Sequence, residues 1–196
     1  QMRFDLKLPE EPLHIECFDN SNIQGSNPVA ACIVFKKGKP SKKDYRHYNI
    51  KSVVGPDDFA SMEEVILRRY KRLLNEKASL PQLIVIDGGK GQLSSAIKEI
   101  EKYEDCNTKI LSLVKGPDRN SKYDDVLYLY DGKIIRMDLE QEGKRLLQFV
   151  RDESHRFALS RSKKRRKNVT HSTLDEIKGI GSKNKKVLLR YFGGIE

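Results

Sequence analysis

The chain has 196 residues, 38 Lys/Arg against 28 Asp/Glu for a net charge of +10, with 37% hydrophobic and 34% charged residues. That length buries a full core and excludes a disulfide-stapled miniprotein, and no apolar run approaches the roughly 20 residues that cross a bilayer. Cys17, Cys32 and Cys106 lack any CxxC spacing, which argues against structural zinc and, with no charged-then-apolar leader, points to a cytoplasmic protein.

Leu13–Asp19 is a short apolar run ending in an acid, and Val29–Phe35 is a β-branched run that stops at Lys36-Lys37-Gly38-Lys39-Pro40. These read as two strands with a turn after the second, and Tyr45–Val53 alternates as a third, so the opening is expected to be antiparallel. Phe59, Met62, Val65, Ile66, Tyr70, Leu73 and Leu74 then recur at helical spacing, with Asp57 or Asp58 as N-cap. Leu83-Ile84-Val85-Ile86 is a continuous apolar run typical of a strand covered on both faces, and it ends at Asp87-Gly88-Gly89. Leu93, Ala96, Ile97 and Ile100 give a helix and Ile110–Val114 another strand, an alternation that implies parallel pairing. Val126–Met137 predicts a hairpin turning at Asp131-Gly132. A helix from about Gly143 to Ser160 buries Leu146, Leu147, Val150, Phe157 and Ala158, and Arg161–Lys167, six basic residues in seven, reads as a linker. The fold class is α/β.

Charge is unevenly placed. Residues 156–196 hold 12 Lys/Arg against 3 Asp/Glu, nearly all of the excess. A near-neutral body with a basic end fits a polyanionic partner, because neutralising phosphates releases counterions. The same tail contains Lys178-Gly179-Ile180-Gly181-Ser182-Lys183-Asn184-Lys185. Two short helices joined by Gly-Ile-Gly form a helix-hairpin-helix, in which Gly179 and Gly181 let the backbone approach a DNA phosphate while Lys183 and Lys185 supply charge.

Asp19 and Asp87 each sit where an apolar strand runs out, the position that lines the ligand crevice of an open α/β sheet. Two carboxylates brought together there repel unless a proton or a hard divalent cation is shared; each alone also suits a simple cap or turn. His155, beside the apolar stripe of the late helix, can point toward that crevice, and Asp152 is its rival as a ligand. Asp87-Gly88-Gly89-Lys90-Gly91-Gln92 opens a helix with bare amides plus Lys90, which suits a phosphate, although it lacks the spacing of a nucleotide-triphosphate loop.

Four ordered blocks, Ile15-Glu16-Cys17-Phe18-Asp19-Asn20-Ser21-Asn22-Ile23-Gln24-Gly25, Ile86 to Gln92, Lys115-Gly116-Pro117-Asp118-Arg119 and Arg151-Asp152-Glu153-Ser154-His155-Arg156-Phe157-Ala158, resemble the C-terminal half of the UvrC family of bacterial excision-repair nucleases. The resemblance runs from about Leu13 to the last residue. It implies a ribonuclease H-like mixed sheet flanked by helices over residues 1–160, a basic linker at 161–168 and a truncated helix-hairpin-helix domain at 169–196. It also implies an Asp-Asp-His site for Mg²⁺ or Mn²⁺ on Asp19, Asp87 and His155. The expected activity is the incision on the 5′ side of a lesion in damaged duplex DNA, within a complex that includes UvrB.

Lys90, Lys115, Arg119 and Arg156 are candidates to hold the DNA backbone around the site, and Tyr45, Tyr48, Arg68 and Arg69 to line the same groove. A His in place of a third carboxylate favours Mn²⁺, and one metal is expected rather than two. The chain opens at Gln1-Met2 without the GIY-YIG domain and partner-binding segment of the family. It ends after one helix-hairpin-helix where the family carries two, so the expectation is a truncated monomer without 3′ incision and with weak DNA affinity. The rival readings are a non-catalytic helix-hairpin-helix DNA-binding module and a junction-cutting nuclease of the transposase or resolvase type.

Overall fold

The computed structural model describes residues 2–21, 29–51, 53, 57–103, 107–116, 122–172 and 184, with side chains at 21 and 161–172 excepted. Eight strands form one mixed sheet: β1 (His14–Ser21), β2 (Val29–Lys36), β3 (Lys39–Pro40), β4 (Arg46–Asn49), β5 (Leu83–Asp87), β6 (Lys109–Val114), β7 (Asp125–Tyr130) and β8 (Lys133–Met137). Their order is β3-β2-β1-β5-β6-β7-β8, with β4 also paired to β2. β1, β5 and β6 are mutually parallel, and β2, β4, β7 and β8 add antiparallel pairings on either side.

The apolar runs predict the central strands because β1, β2 and β5 are covered on both faces. Alternate residues of a strand face opposite ways. Even-numbered Glu16, Phe18, Ile84 and Ile86 face the layer of α2 (Asp58–Asn75) and α3 (Lys90–Ile100), while Asp19, Asp87 and Phe35 face α4 (Gln141–Ser172). The core between these layers includes Ile15, Phe18, Ile33, Phe35, Met62, Ile66, Tyr70, Leu83, Ile84, Ile86 and Leu93, all fully buried. Asp57 caps α2 by accepting from the amides of Phe59 and Ala60, each at 3.0 Å.

Both tight hairpins place two successive residues at positive φ: Lys37 and Gly38 at 51° and 73°, Asp131 and Gly132 at 47° and 71°. This is the backbone of a type I′ turn, which matches strand twist, and it is why the Asp-Gly pair reads so clearly.

Two expectations are revised, and one element is added. The third strand is shorter than Tyr45–Val53: β4 pairs with β2 only along Val29–Cys32, and its last residue, Asn49, stands opposite Val29, the first residue of β2. The late helix does not stop at Ser160; it continues as α4 to Ser172, so the run read as a linker is helical, in keeping with the good helix propensity of Lys and Arg. A first short helix, α1 (Met2–Asp5), precedes the sheet, too brief for periodicity to reveal. Asp5 Oδ2 accepts from the Glu140 amide at 3.2 Å beside the start of α4, and Tyr128 donates its hydroxyl to the Leu6 carbonyl at 2.9 Å.

The chain divides into residues 1–158 and 159–196. In the second unit only residues 159–172, which are helical, and Asn184 are described, so the expected helix-hairpin-helix with Gly179, Gly181, Lys183 and Lys185 lies outside the described residues, as does Arg119. Among the described residues no helix is long and apolar enough to cross a membrane. Cys17 and Cys32 are free and buried.

Candidate metal centre

In the parallel pairing of β1 with β5, Asp19 stands directly opposite Asp87 at the end where both strands finish. Parity sends both carboxylates to the α4 face, where His155 approaches from the helix: its Nδ1 is 3.5 Å from Asp19 Oδ2. Ligand atoms of Asp19, Asp87 and His155 lie within 4.8 Å of one another, a grouping that could hold one divalent cation.

Asp19 is 7% exposed, and its Oδ2, despite the nearby imidazole, has no hydrogen bond. A buried carboxylate oxygen without a donor is costly unless a cation reaches it. Burial, with the Asp87 charge adding to it, pushes the Asp19 carboxyl up to about 6 against the opposing pull of His155 and Arg151. The donor set therefore fits a divalent ion: two carboxylates that repel each other, one with an orphaned oxygen, and an exposed imidazole that can turn to complete the shell. The Cys17 thiol below them is no competitor, since burial and then the Asp87 charge hold it well above its ordinary range.

Asp152 does not join the cluster. It is exposed and accepts from Gln148 Nε2 at 3.0 Å. Two residues that sequence reading gave no role do join it: Arg151 Nε donates to Asp87 Oδ1 at 2.9 Å, and Arg151 Nη1 donates to Asp124 Oδ2. The available signal for Arg151 was its place one turn before His155, on the same helix face; nothing local marks Asp124.

The seating of α4 sets where His155 and Arg151 point. Tyr45 donates its hydroxyl to Glu153 Oε1 at 3.1 Å, and Arg156 holds the same carboxylate through Nε at 2.6 Å and Nη2 at 2.7 Å. Phe157 stacks on His47 with ring centroids 4.0 Å apart, and Phe149 meets Phe35 edge to face at 5.4 Å. Tyr45 and Tyr48 are thus buried rather than lining a groove, and Arg69 is buried against Glu16 on the opposite face of the sheet. Arg68 pairs with Glu64 at 2.8 Å. These four read as groove residues only because their types suit nucleic acid; Tyr45, just before β4, is drawn to Glu153 of α4, Tyr48 of β4 packs toward α2, and the helical period of α2 turns Arg69 inward.

Lys90 and Lys115 are exposed at the start of α3 and just after β6, and Arg156 is exposed although engaged by Glu153. In the glycine turn, the Gly89 amide already donates to Gln92 Oε1 at 2.6 Å and the Gly88 amide to the Leu113 carbonyl at 3.3 Å. A Cβ on Gly88 would stand 2.3 Å from Gln92 Oε1, so this glycine makes room for the Gln92 side chain.

A sheet carrying two strand-end acids beneath a helix-borne histidine defines the class as a ribonuclease H-like domain, and the sequence model of the UvrC RNAse H endonuclease domain matches residues 3–159. The chain belongs to that family. It is 50% identical over 198 residues to UvrABC system protein C of Flavobacterium johnsoniae and 49% identical over 197 residues to that of Bacteroides thetaiotaomicron, in both cases over 100% of this chain. It spans about a third of the length of these relatives, 32% of each. Among solved structures, Ciona intestinalis endonuclease V in complex with an inosine-containing DNA overlays with a TM-score of 0.39 at 16% identity, over 56% of this chain and 50% of that one.

Proposed function

We propose that this domain hydrolyses a DNA phosphodiester with the aid of one divalent cation, Mn²⁺ or Mg²⁺, held by Asp19, Asp87 and His155. The reading extends to the 5′ incision beside a lesion in nucleotide excision repair, in the cytoplasm, with damaged duplex DNA as substrate and UvrB as partner. The observation that carries it is the buried Asp19 Oδ2, which has no hydrogen bond, is approached by the His155 imidazole at 3.5 Å and belongs to a carboxylate set opposite Asp87 in the parallel pair.

A bound divalent ion would supply a polarised phosphate oxygen and a water of lowered pKa. The chain's own residues do the rest. Asp19 and Asp87 keep their charge density at one point because the β1–β5 register holds them opposite each other. His155, with 64% of its side chain exposed, already aims its Nδ1 at Asp19 Oδ2 from 3.5 Å and so stands where it can complete the shell of an ion. Lys90 and Lys115 flank the strand ends and can hold the backbone on either side of the cut phosphate. Arg119 and the Gly179, Gly181, Lys183 and Lys185 hairpin are proposed to extend that track.

The test is calorimetric titration with Mn²⁺ of the protein beside Asp87→Asn and His155→Ala, followed by nicking of a lesion-bearing duplex with the purified UvrB partner. One saturable site, lost in Asp87→Asn together with nicking, is expected. Nicking that survives Asp87→Asn refutes the assignment.

A further inference from the structure

Three carboxylates, not two, converge on this end of the sheet. Asp19 and Asp87 come from β1 and β5, and Asp124 stands just before β7. The side chains of Asp87 and Asp124 are only 13% and 11% exposed, and the cation between them is the guanidinium of Arg151, itself 19% exposed. Its Nε takes Asp87 Oδ1 at 2.9 Å and its Nη1 takes Asp124 Oδ2. Asp87 is therefore common to two groups: the ion pair with Arg151, and the cluster of ligand atoms it forms with Asp19 and His155.

A carboxylate shared between two adjacent cation positions is the ground plan of a two-metal centre, where ions about 3.5–4 Å apart clamp the attacking and leaving oxygens. Here the cation that bridges Asp87 to the third carboxylate, Asp124, belongs to the protein. The charges agree: three carboxylates and one guanidinium leave two negative charges, which one divalent ion neutralises. Arg151 stays charged throughout, because a guanidinium does not lose its proton in a protein.

We infer that Arg151 is a built-in cation occupying the second-metal position between Asp87 and Asp124, and that it thereby fixes the centre at a single divalent ion. This rests on the metal centre proposed above. Arg151 acts as a positioning residue: it holds Asp87 in the orientation that faces Asp19 and keeps Asp124 from acting as a ligand.

The experiment counts Mn²⁺ ions by calorimetry and, by electron paramagnetic resonance, looks for exchange coupling between them. The unaltered protein should bind one uncoupled ion. Arg151→Gln and the near-isosteric Arg151→Met should each bind two, spin-coupled, and the double variant Arg151→Gln/Asp124→Asn should return to one. A single ion in both Arg151 variants, or a second ion that survives loss of Asp124, overturns the inference while leaving the metal centre standing; no ion in the unaltered protein removes the centre itself. A measurement on the unaltered chain covers the case in which the variants fail to fold. At saturating Mg²⁺ the Arg151 Nε–H resonance should remain resolved and protected from solvent exchange, and its loss would show that metal displaces the guanidinium.

Discussion

Replacing Arg69 by Met removes the guanidinium from a carboxylate that has no access to water and leaves it only the His14 imidazole as an ion-pair partner. Glu16 is 0% exposed and Arg69 5%, with Arg69 Nη2 at 2.6 Å from Glu16 Oε1 and Nε at 3.0 Å from Oε2. Removing one member of such a pair costs about 3–5 kcal/mol, because the other charge stays buried. For a domain of this size each kcal/mol moves the melting temperature by about 2–4 °C, so a drop of roughly 6–20 °C is expected in a thermal melt.

The pH dependence carries the sharper test. Burial, the largest influence, raises the Glu16 pKa, but His14 and Arg69 together outweigh it and hold the group below its ordinary 4.5. A lowered folded-state pKa gives stability that is present above the unfolded value and lost as pH falls through the folded one. Without Arg69 burial prevails, the carboxyl moves upward, and its protonation relieves the variant as pH falls. The gap in melting temperature should therefore narrow from pH 7 toward pH 4.5. The double variant Glu16→Leu/Arg69→Met should recover much of the loss, since a packed apolar pair often equals a buried ion pair. Mn²⁺ affinity should be unchanged in each variant, because the pair faces α2 and the proposed metal centre faces α4. A gap that stays constant or widens on acidification would refute the reasoning.

Asp87→Asn should lower the Asp19 titration midpoint from about 6, since the Asp87 charge is second only to burial in raising it; carboxyl-carbon NMR reads this directly. In the unaltered protein Mn²⁺ affinity should fall about tenfold per unit below pH 6, as a proton competes for Asp19, measured by titration across pH 4.5–7. Asp152→Asn should leave Mn²⁺ affinity unchanged while His155→Ala weakens it at least about tenfold, because Asp152 is exposed and bound to Gln148. Gly132→Ala should cost about 1–2 kcal/mol in urea unfolding, because its φ of 71° is strained for any residue with a Cβ.

The elements that sequence reading recovers are those whose signal is local. The capped amphipathic α2, the apolar β5 and the Asp131-Gly132 turn each declare themselves within a few residues. Asp19 and Asp87 stand out as a pair of strand-end acids, although each alone also suits a cap or turn, and it is the β1–β5 register that sets them opposite each other. The pairing of Asp124 with Arg151 was not legible, since 27 residues separate them and each type is common on surfaces. Tyr45, Tyr48 and Arg69 went the other way. Their chemistry suggested DNA, and only the sheet register and helix packing turn them toward the interior. The extent of α4 was missed because a basic run changes composition without breaking a helix.

The register that sets Asp19 opposite Asp87 also bears on how the chain folds. These two residues are 68 positions apart, so their strands pair only after a long loop has closed, and that closure ends by pressing two negative charges together. The residues that relieve the repulsion, Arg151 and His155, lie further along still, on a helix synthesised after the whole sheet. During synthesis the central parallel pair therefore meets electrostatic resistance until α4 arrives. A divalent ion present from the start would substitute for the absent helix. Refolding in Mn²⁺ should accordingly be faster as well as yielding a more stable product, with the acceleration abolished by Asp87→Asn.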